Sequence, residues 1–396
     1  MHAAGDDFAG AAHVVEGNER RSGHAHKYGC VTPEPLCRRT GVSAGAAVAV
    51  GVVSSEPTEP SARRGPVNRI ADRWFPVAVD GRMLRMRLFA TGDLLAPHPT
   101  VARLVIMING TLRNADVYFD STLAAAAAAG AGTDRTLIAT PQFLATPDAE
   151  KFALGEDTPY WTPEGWKIGD PAVHPERGPS SYTVIDAMVA AAVDRDRFPS
   201  LRAVVVAGHS AGGQFVHRYI AFTRVHAALR RAGIAVRYIV SNPSSYLYFD
   251  ARRLDGDRGL TLYPREKCED FNRYRYGLEQ PNEYGAAALA AFGGGDAAGA
   301  MAREYGRREV AYLLGEADAD PNSDSLDRSC GAMAQGATRL ERGQRYFRYV
   351  QALLGPEVLA THSLHIVPGV GHDHRAMFMS SSGLALLFGD GRAQSQ

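Results

Sequence analysis

Residues 203–215 read Ala-Val-Val-Val-Ala-Gly-His-Ser-Ala-Gly-Gly-Gln-Phe, and no other segment limits the fold as tightly. The first five residues are all apolar, with none of the polar alternation of a half-wet strand; this is the pattern of a strand buried on both faces. Phe215, Tyr219 and Ile220 then recur at helical spacing. The backbone must therefore pass from strand to helix across Gly208-His209-Ser210-Ala211-Gly212. A turn that tight holds its serine in a strained conformation, with the hydroxyl exposed at the sheet's edge. Gly208 and Gly212 are required because a Cβ at either position would collide with the neighbouring strand and helix. The helix start also points free N–H groups and the positive end of its dipole at any negative charge that develops there.

The rest of the chain has the same character. Trp74–Val79 and Leu84–Phe89 read as an antiparallel pair joined by the hairpin dipeptide Asp80-Gly81. Buried strands are expected at 104–108, 136–139, 236–240, 310–314 and 364–367, with helices through the alanine run 124–129 and over 182–193. Strands alternating with helices from Arg73 onward predict an α/β fold with a mostly parallel central sheet and helices on both faces. Between Asn242 and Arg307 the alternation breaks down in a stretch rich in Tyr, Pro and Gly. An insertion over the sheet's carboxyl edge, cap-like and covering a binding site, is expected near 242–307.

Lys plus Arg and Asp plus Glu are equal at 43 each, so nothing in the charge balance points to nucleic acid or an acidic polymer as partner. No apolar run reaches the roughly 18 residues of a membrane span. Residues 1–66 differ from the body at 67–390: Arg38-Arg39, then the small and apolar run 42–53, then polar and Pro-containing residues. That pattern fits an export signal, which would make the protein secreted or periplasmic; the other reading is a disordered leader on a cytoplasmic protein. Cys268 and Cys330 pair if the protein is exported and are free thiols otherwise.

Gly208-x-Ser210-x-Gly212 between a buried strand and a helix resembles the α/β-hydrolase superfamily, in its esterase and lipase-like branch, over roughly residues 74–388. The resemblance implies the α/β-hydrolase fold and a nucleophile, acid and base in that order along the chain. Ser210 is then the nucleophile. The acid follows the strand at 310–314, where three residues past Gly315 is Asp318, with Asp320 and Glu316 as rivals. The base follows the last strand: Gly369-Val370-Gly371-His372 matches the superfamily's Gly-x-Gly-His ending, and His374 is the alternative. The His372-Asp373-His374 triplet has no further ligands at metal-binding spacing, so no metal is expected. Asn109-Gly110-Thr111-Leu112 resembles the oxyanion loop after the third strand, with Asn109 where His is usual. The expected oxyanion donors are the N–H groups of Ala211 and of Thr111 or Leu112. Arg113 and Asn114 are expected to orient this loop, touch substrate or form a surface salt bridge. Trp161, Trp166, Tyr246 and Tyr248 are candidates to line an acyl or alkyl pocket. The expected activity is cleavage of a small-molecule or lipid carboxylic ester through an acyl-serine intermediate, with no cofactor. Acyl transfer or amide cleavage on the same fold, and a non-catalytic binding protein, are the alternatives. Oligomeric state is not legible.

Overall fold

A computed structural model of the chain describes residues 65–389. The export-signal reading of 1–66 therefore lies outside the described residues, apart from the final pair. The chain opens with β1 (Arg73–Val79) and β2 (Arg82–Ala90), then β3 (Arg103–Ile108), α1 (Ala115–Ala128), β4 (Thr136–Pro141), α2 (Thr146–Phe152) and α3 (Ser181–Ala192). The central crossover is β5 (Ala203–His209), α4 (Ala211–Phe222), α5 (His226–Arg231) and β6 (Ala235–Ser241). A small hairpin, β7 (Arg252–Leu254) and β8 (Leu260–Leu262), precedes α6 (Glu283–Ala290), α7 (Ala297–Gly306) and β9 (Glu309–Gly315). The last elements are α8 (Cys330–Met333), α9 (Arg339–Leu354), β10 (His362–Val367), α10 (His374–Met379) and α11 (Ser381–Phe388).

Eight strands form one sheet in the order β1-β2-β4-β3-β5-β6-β9-β10. The contacts of β2 with β1 and with β4 are antiparallel, and the remaining ones are parallel. Asp80 and Gly81 both take positive φ (47° and 75°), which lets the two-residue turn follow the strand twist. Side chains alternate between two cores, as the pleat demands. Leu104, Ile106, Val204, Val206, Tyr238 and Val240 pack with α3, α4, α7 and α9 on one face. Val105, Met107, Val205, Ala207, Ile239 and Leu313 pack with α1, α10 and α11 on the other.

Every residue of α4 is buried, including the polar His217 and Arg218. The apolar stripe at Phe215, Tyr219 and Ile220 faces the core, while the stretch after β6 and helices α6 and α7 cover the helix's other side.

The expected insertion is shorter than the sequence suggests. Helices α6 and α7 lie in the ordinary crossover from β6 to β9: Met301, Ala302 and Tyr305 of α7 sit in the main core. The irregular excursion is confined to residues 242–282. Gly293-Gly294-Gly295 is an exposed link between α6 and α7, two of its glycines at positive φ, and not part of a cap. Cys268 and Cys330 are joined in a disulfide with their Cα atoms 5.6 Å apart, tying the excursion to the start of α8.

A bridge that closes 62 residues is worth about 4 kcal/mol on a loop-entropy basis. Replacing both cysteines by serine should therefore lower the urea unfolding free energy by up to about 4 kcal/mol. A change below about 0.5 kcal/mol would show that the excursion is held by its side-chain contacts alone.

Candidate active site

The turn between β5 and α4 is set by backbone crowding. A Cβ on Gly208 would lie 2.3 Å from the Gly212 carbonyl oxygen, and one on Gly212 only 2.2 Å from that of Ile108 in β3. Gly213, which the sequence reading passed over, is equally constrained: its Cβ would lie 2.4 Å from the Ser241 carbonyl oxygen in β6. Both neighbouring strands thus close against the helix start. Ser210 is forced to φ 60° and ψ −119° and donates its N–H to Ser241 O at 2.9 Å. Such a conformation costs on the order of 1–3 kcal/mol and persists only where the surroundings over-determine it.

Ser210, His372 and Asp318 meet at this edge. His372 Nε2 is 2.9 Å from Ser210 Oγ, and its Nδ1 is 2.7 Å from Asp318 Oδ2. An ionised carboxylate only accepts, so Nδ1 carries the ring proton and Nε2 is left to accept the serine hydroxyl. The rivals lie elsewhere. Glu316 is exposed and accepts the Gly369 N–H, and Asp320 is exposed and accepts the Asn322 N–H. His374 bonds Ser121 Oγ at 3.0 Å and stacks on Tyr118 at 4.1 Å, away from Ser210.

The other oxygen of Asp318 faces a cation that the sequence reading missed. Arg339, at the start of α9 and fully buried, lies 3.2 Å from Asp318 Oδ1. The same guanidinium donates to the hydroxyls of Ser244, Ser323 and Ser325. Asn242 was also missed, although it sits in left-handed backbone at φ 44°. Its Oδ1 accepts the Gly315 N–H at 2.8 Å, and its Nδ2 donates to Gly371 O (3.4 Å) and His209 Nε2 (3.3 Å). One amide therefore ties together the serine turn, the acid loop and the base loop. Burial holds the His209 imidazole well below its ordinary pKa, and the nearby His372 and His374 push it the same way. His209 is thus neutral, able to accept from Asn242 through Nε2 and to donate through Nδ1 toward Tyr118 Oη at 3.3 Å.

The β3 loop is anchored from beneath. Arg113, at φ 58°, is fully buried and bidentate on the equally buried Asp148, at 2.8 and 3.1 Å. Asp148 also accepts the N–H groups of Val67 and Ala145, and Arg113 donates to Gly65 O. Of the readings open for Arg113, the structure shows the orienting one. A Cβ on Gly212 would also lie 2.6 Å from the Asn109 carbonyl oxygen, so the first residue of the β3 loop runs against the start of α4. There the first intrahelical bond, Gln214 N–H to Ser210 O, leaves the earlier N–H groups, Ala211 among them, without a helical acceptor.

The aromatic candidates for a pocket are corrected. Trp161, Trp166, Tyr246 and Tyr248 are all sealed inside the core and offer no surface to a substrate. Trp161 and Trp166 pack on Phe143, while Tyr246 and Tyr248 pack on Tyr346 and Tyr349 of α9. Aromatic residues in loop sequence serve here as the loops' own core. Among the described residues no cluster of His, Cys, Asp and Glu is placed to hold a metal ion, and no helix is long and apolar enough to cross a membrane.

No family model matches the chain, and no curated protein matches it in sequence. Among solved structures it is similar to poly(aspartic acid) hydrolase-1 from Sphingomonas sp. KT-1, with a TM-score of 0.50 and 22% identity over 82% of this chain and 99% of that one. It is also similar to LpqC, a poly(3-hydroxybutyrate) depolymerase from Bordetella parapertussis, with a TM-score of 0.46 and 20% identity over 82% and 88% of the two chains. The chain has the α/β-hydrolase fold.

Removing one partner of a buried ion pair strands the other charge in dry protein, at a cost of about 3–5 kcal/mol. Arg113→Met should lower unfolding stability by about that amount, read from the urea midpoint. A shift equivalent to less than about 1 kcal/mol would mean that the loop is held by other contacts.

Proposed function

We propose that this chain is a serine hydrolase that cleaves carboxylic esters through an acyl-serine intermediate. The observation that carries the reading is the continuous hydrogen-bond chain from Ser210 through His372 to Asp318, built on a strained strand-to-helix turn. The fold it shares with a poly(aspartic acid) hydrolase agrees with hydrolysis as the reaction class.

In this reading, Ser210 Oγ attacks the ester carbonyl carbon while His372 Nε2 takes the hydroxyl proton. The carbonyl oxygen gains charge and is held by the N–H of Ala211 together with that of Thr111 or Leu112. Collapse of the tetrahedral species expels the alkoxide, which receives the proton from His372 and leaves Ser210 acylated. Water then repeats the sequence, giving its proton to His372 and releasing the acid. Asp318 fixes the tautomer and stabilises the imidazolium without itself taking a proton. Arg339 and its serines keep Asp318 from rotating. Both half-reactions balance with Ser210, His372 and water, so no cofactor enters. The Cys268–Cys330 bridge supports an oxidising compartment as the place of action.

Hydrolysis of nitrophenyl butyrate tests the assignment. Ser210→Ala should abolish activity while leaving the fold intact. Asp318→Asn should lose on the order of a thousandfold or more in kcat. Asp320→Asn, which alters an exposed carboxylate, should stay within about twofold of wild type. In the wild type, kcat/KM should fall on acidification, because only neutral His372 accepts the serine proton. Retention of more than a few per cent of activity in Ser210→Ala would move the nucleophile elsewhere.

A further inference from the structure

Beneath Ser210 lies a buried cation that the steps above do not use. Arg218 is fully buried in α4. Its guanidinium donates to Arg275 O (3.0 Å), Gln214 O (3.1 Å) and Ser245 Oγ (3.0 Å), all neutral acceptors. Among the described residues, no carboxylate lies within ion-pair distance of it. Arg339 faces Asp318, and Arg275 faces Glu164 and Asp327, whereas the buried Arg253 and Arg342, like Arg218, bond neutral acceptors only among the described residues. A guanidinium held out of water without a counter-ion is costly, and burial pulls the pKa of Arg218 down from its ordinary value. What sets Arg218 apart is where its bonds lead, because one of them reaches Ser245 and through it Gln214.

The field of Arg218 has a polar route toward the nucleophile. Ser245 is fully buried, and its Oγ accepts from Arg218, so its own O–H needs an acceptor; Gln214 Oε1, at 3.3 Å, provides one. That bond fixes the amide with Oε1 inward and Nε2 outward. Among the described residues, Gln214 Nε2 has no hydrogen-bond partner, yet it is not one of the sealed polar atoms. Gln214 and Ser210 are each 8% exposed, so both open a small area to solvent. Four residues apart, they share one side of the helix, and helical side chains lean back toward the N-terminus, here toward Ser210. Each bond in the series Arg218, Ser245, Gln214 polarises the next, which makes the outward N–H a stronger donor.

We propose that Gln214, backed by Ser245 and Arg218, is an anion-selecting subsite, and that the preferred substrate carries a carboxylate a few atoms from its scissile carbonyl. The carboxylate docks on Gln214 Nε2 and supplies the charge that Arg218 lacks. This inference rests on the hydrolytic reading of Ser210.

The test is pH-stat hydrolysis by the full chain of esters that differ in charge. Monoethyl succinate and monoethyl glutarate carry the carboxylate on the acyl side, O-acetylglycolate and O-acetyl-lactate carry it on the alcohol side, and ethyl butyrate and butyl acetate are neutral. In one of the charged pairs, kcat/KM should exceed that of the neutral esters by about tenfold or more, mainly through KM. Gln214→Glu keeps an acceptor for Ser245 but replaces the outward donor with a charged oxygen. It should cut that preference by about tenfold or more, and Gln214→Leu should cut it as well. A wild type that cleaves neutral esters in a Ser210-dependent way, with no preference for either charged pair, would overturn the subsite and leave the hydrolase standing. So would a preference that survives Gln214→Glu. Failure to cleave any ester would instead remove the hydrolytic reading on which the subsite rests.

Discussion

The contact of backbone with backbone where β5 turns into α4 governs the geometry of this protein. No side chain fits between Gly212 and the Ile108 carbonyl, or between Gly213 and the Ser241 carbonyl, so β3, β5 and β6 close on the helix start from both sides. The parallel register extends that order across the sheet. Ile108 pairs with Gly208, His209 with Ser241, Ser241 with Leu313, and Gly315 with Val367. The loops that follow β3, β5, β6, β9 and β10 therefore leave the sheet at nearly one height. Groups far apart in sequence, Ser210 and His372 among them, meet without long reaching side chains.

Buried charge then refines what the sheet makes coarse. Arg113 on Asp148 fixes the β3 loop from below, and Arg339 on Asp318 fixes one carboxylate oxygen so that the other meets His372. Ion pairs of this kind gain little net stability, because taking two charges out of water costs about what their attraction returns. Their contribution is directional: a planar guanidinium with several fixed donors leaves a carboxylate few orientations. Arg218 has no such partner among the described residues, and its bonds lead through Ser245 to the part-open Gln214; on that ground it is read as part of substrate recognition.

Much of the fold could be read from the sequence because burial on two faces leaves unbroken apolar runs, and each expected strand exists within a few residues of its expected ends. The serine turn was legible because its glycines and its strand-to-helix switch are local. The Gly-led acid loop and the Gly-x-Gly-His ending were readable only through the family resemblance. Arg339, Asn242 and Asp148 were not legible. Each acts on a loop distant in sequence, and a lone Arg, Asn or Asp has no local pattern that distinguishes a clamp from a surface residue. The aromatic candidates failed for a related physical reason: Trp and Tyr in irregular segments pack those segments as readily as they line a pocket. The extent of the insertion was overread because α6 and α7 are short and rich in Ala and Gly, which hides their helical period.

The central claim is that Ser210 is activated by the chain of hydrogen bonds through His372 to Asp318. Its most direct test is mass spectrometry of the protein after brief exposure to a fluorophosphonate. The account predicts one adduct, on the peptide containing Ser210, absent in Ser210→Ala and formed far more slowly in His372→Ala. An adduct on another residue, or labelling of Ser210 at the same rate without His372, would contradict it.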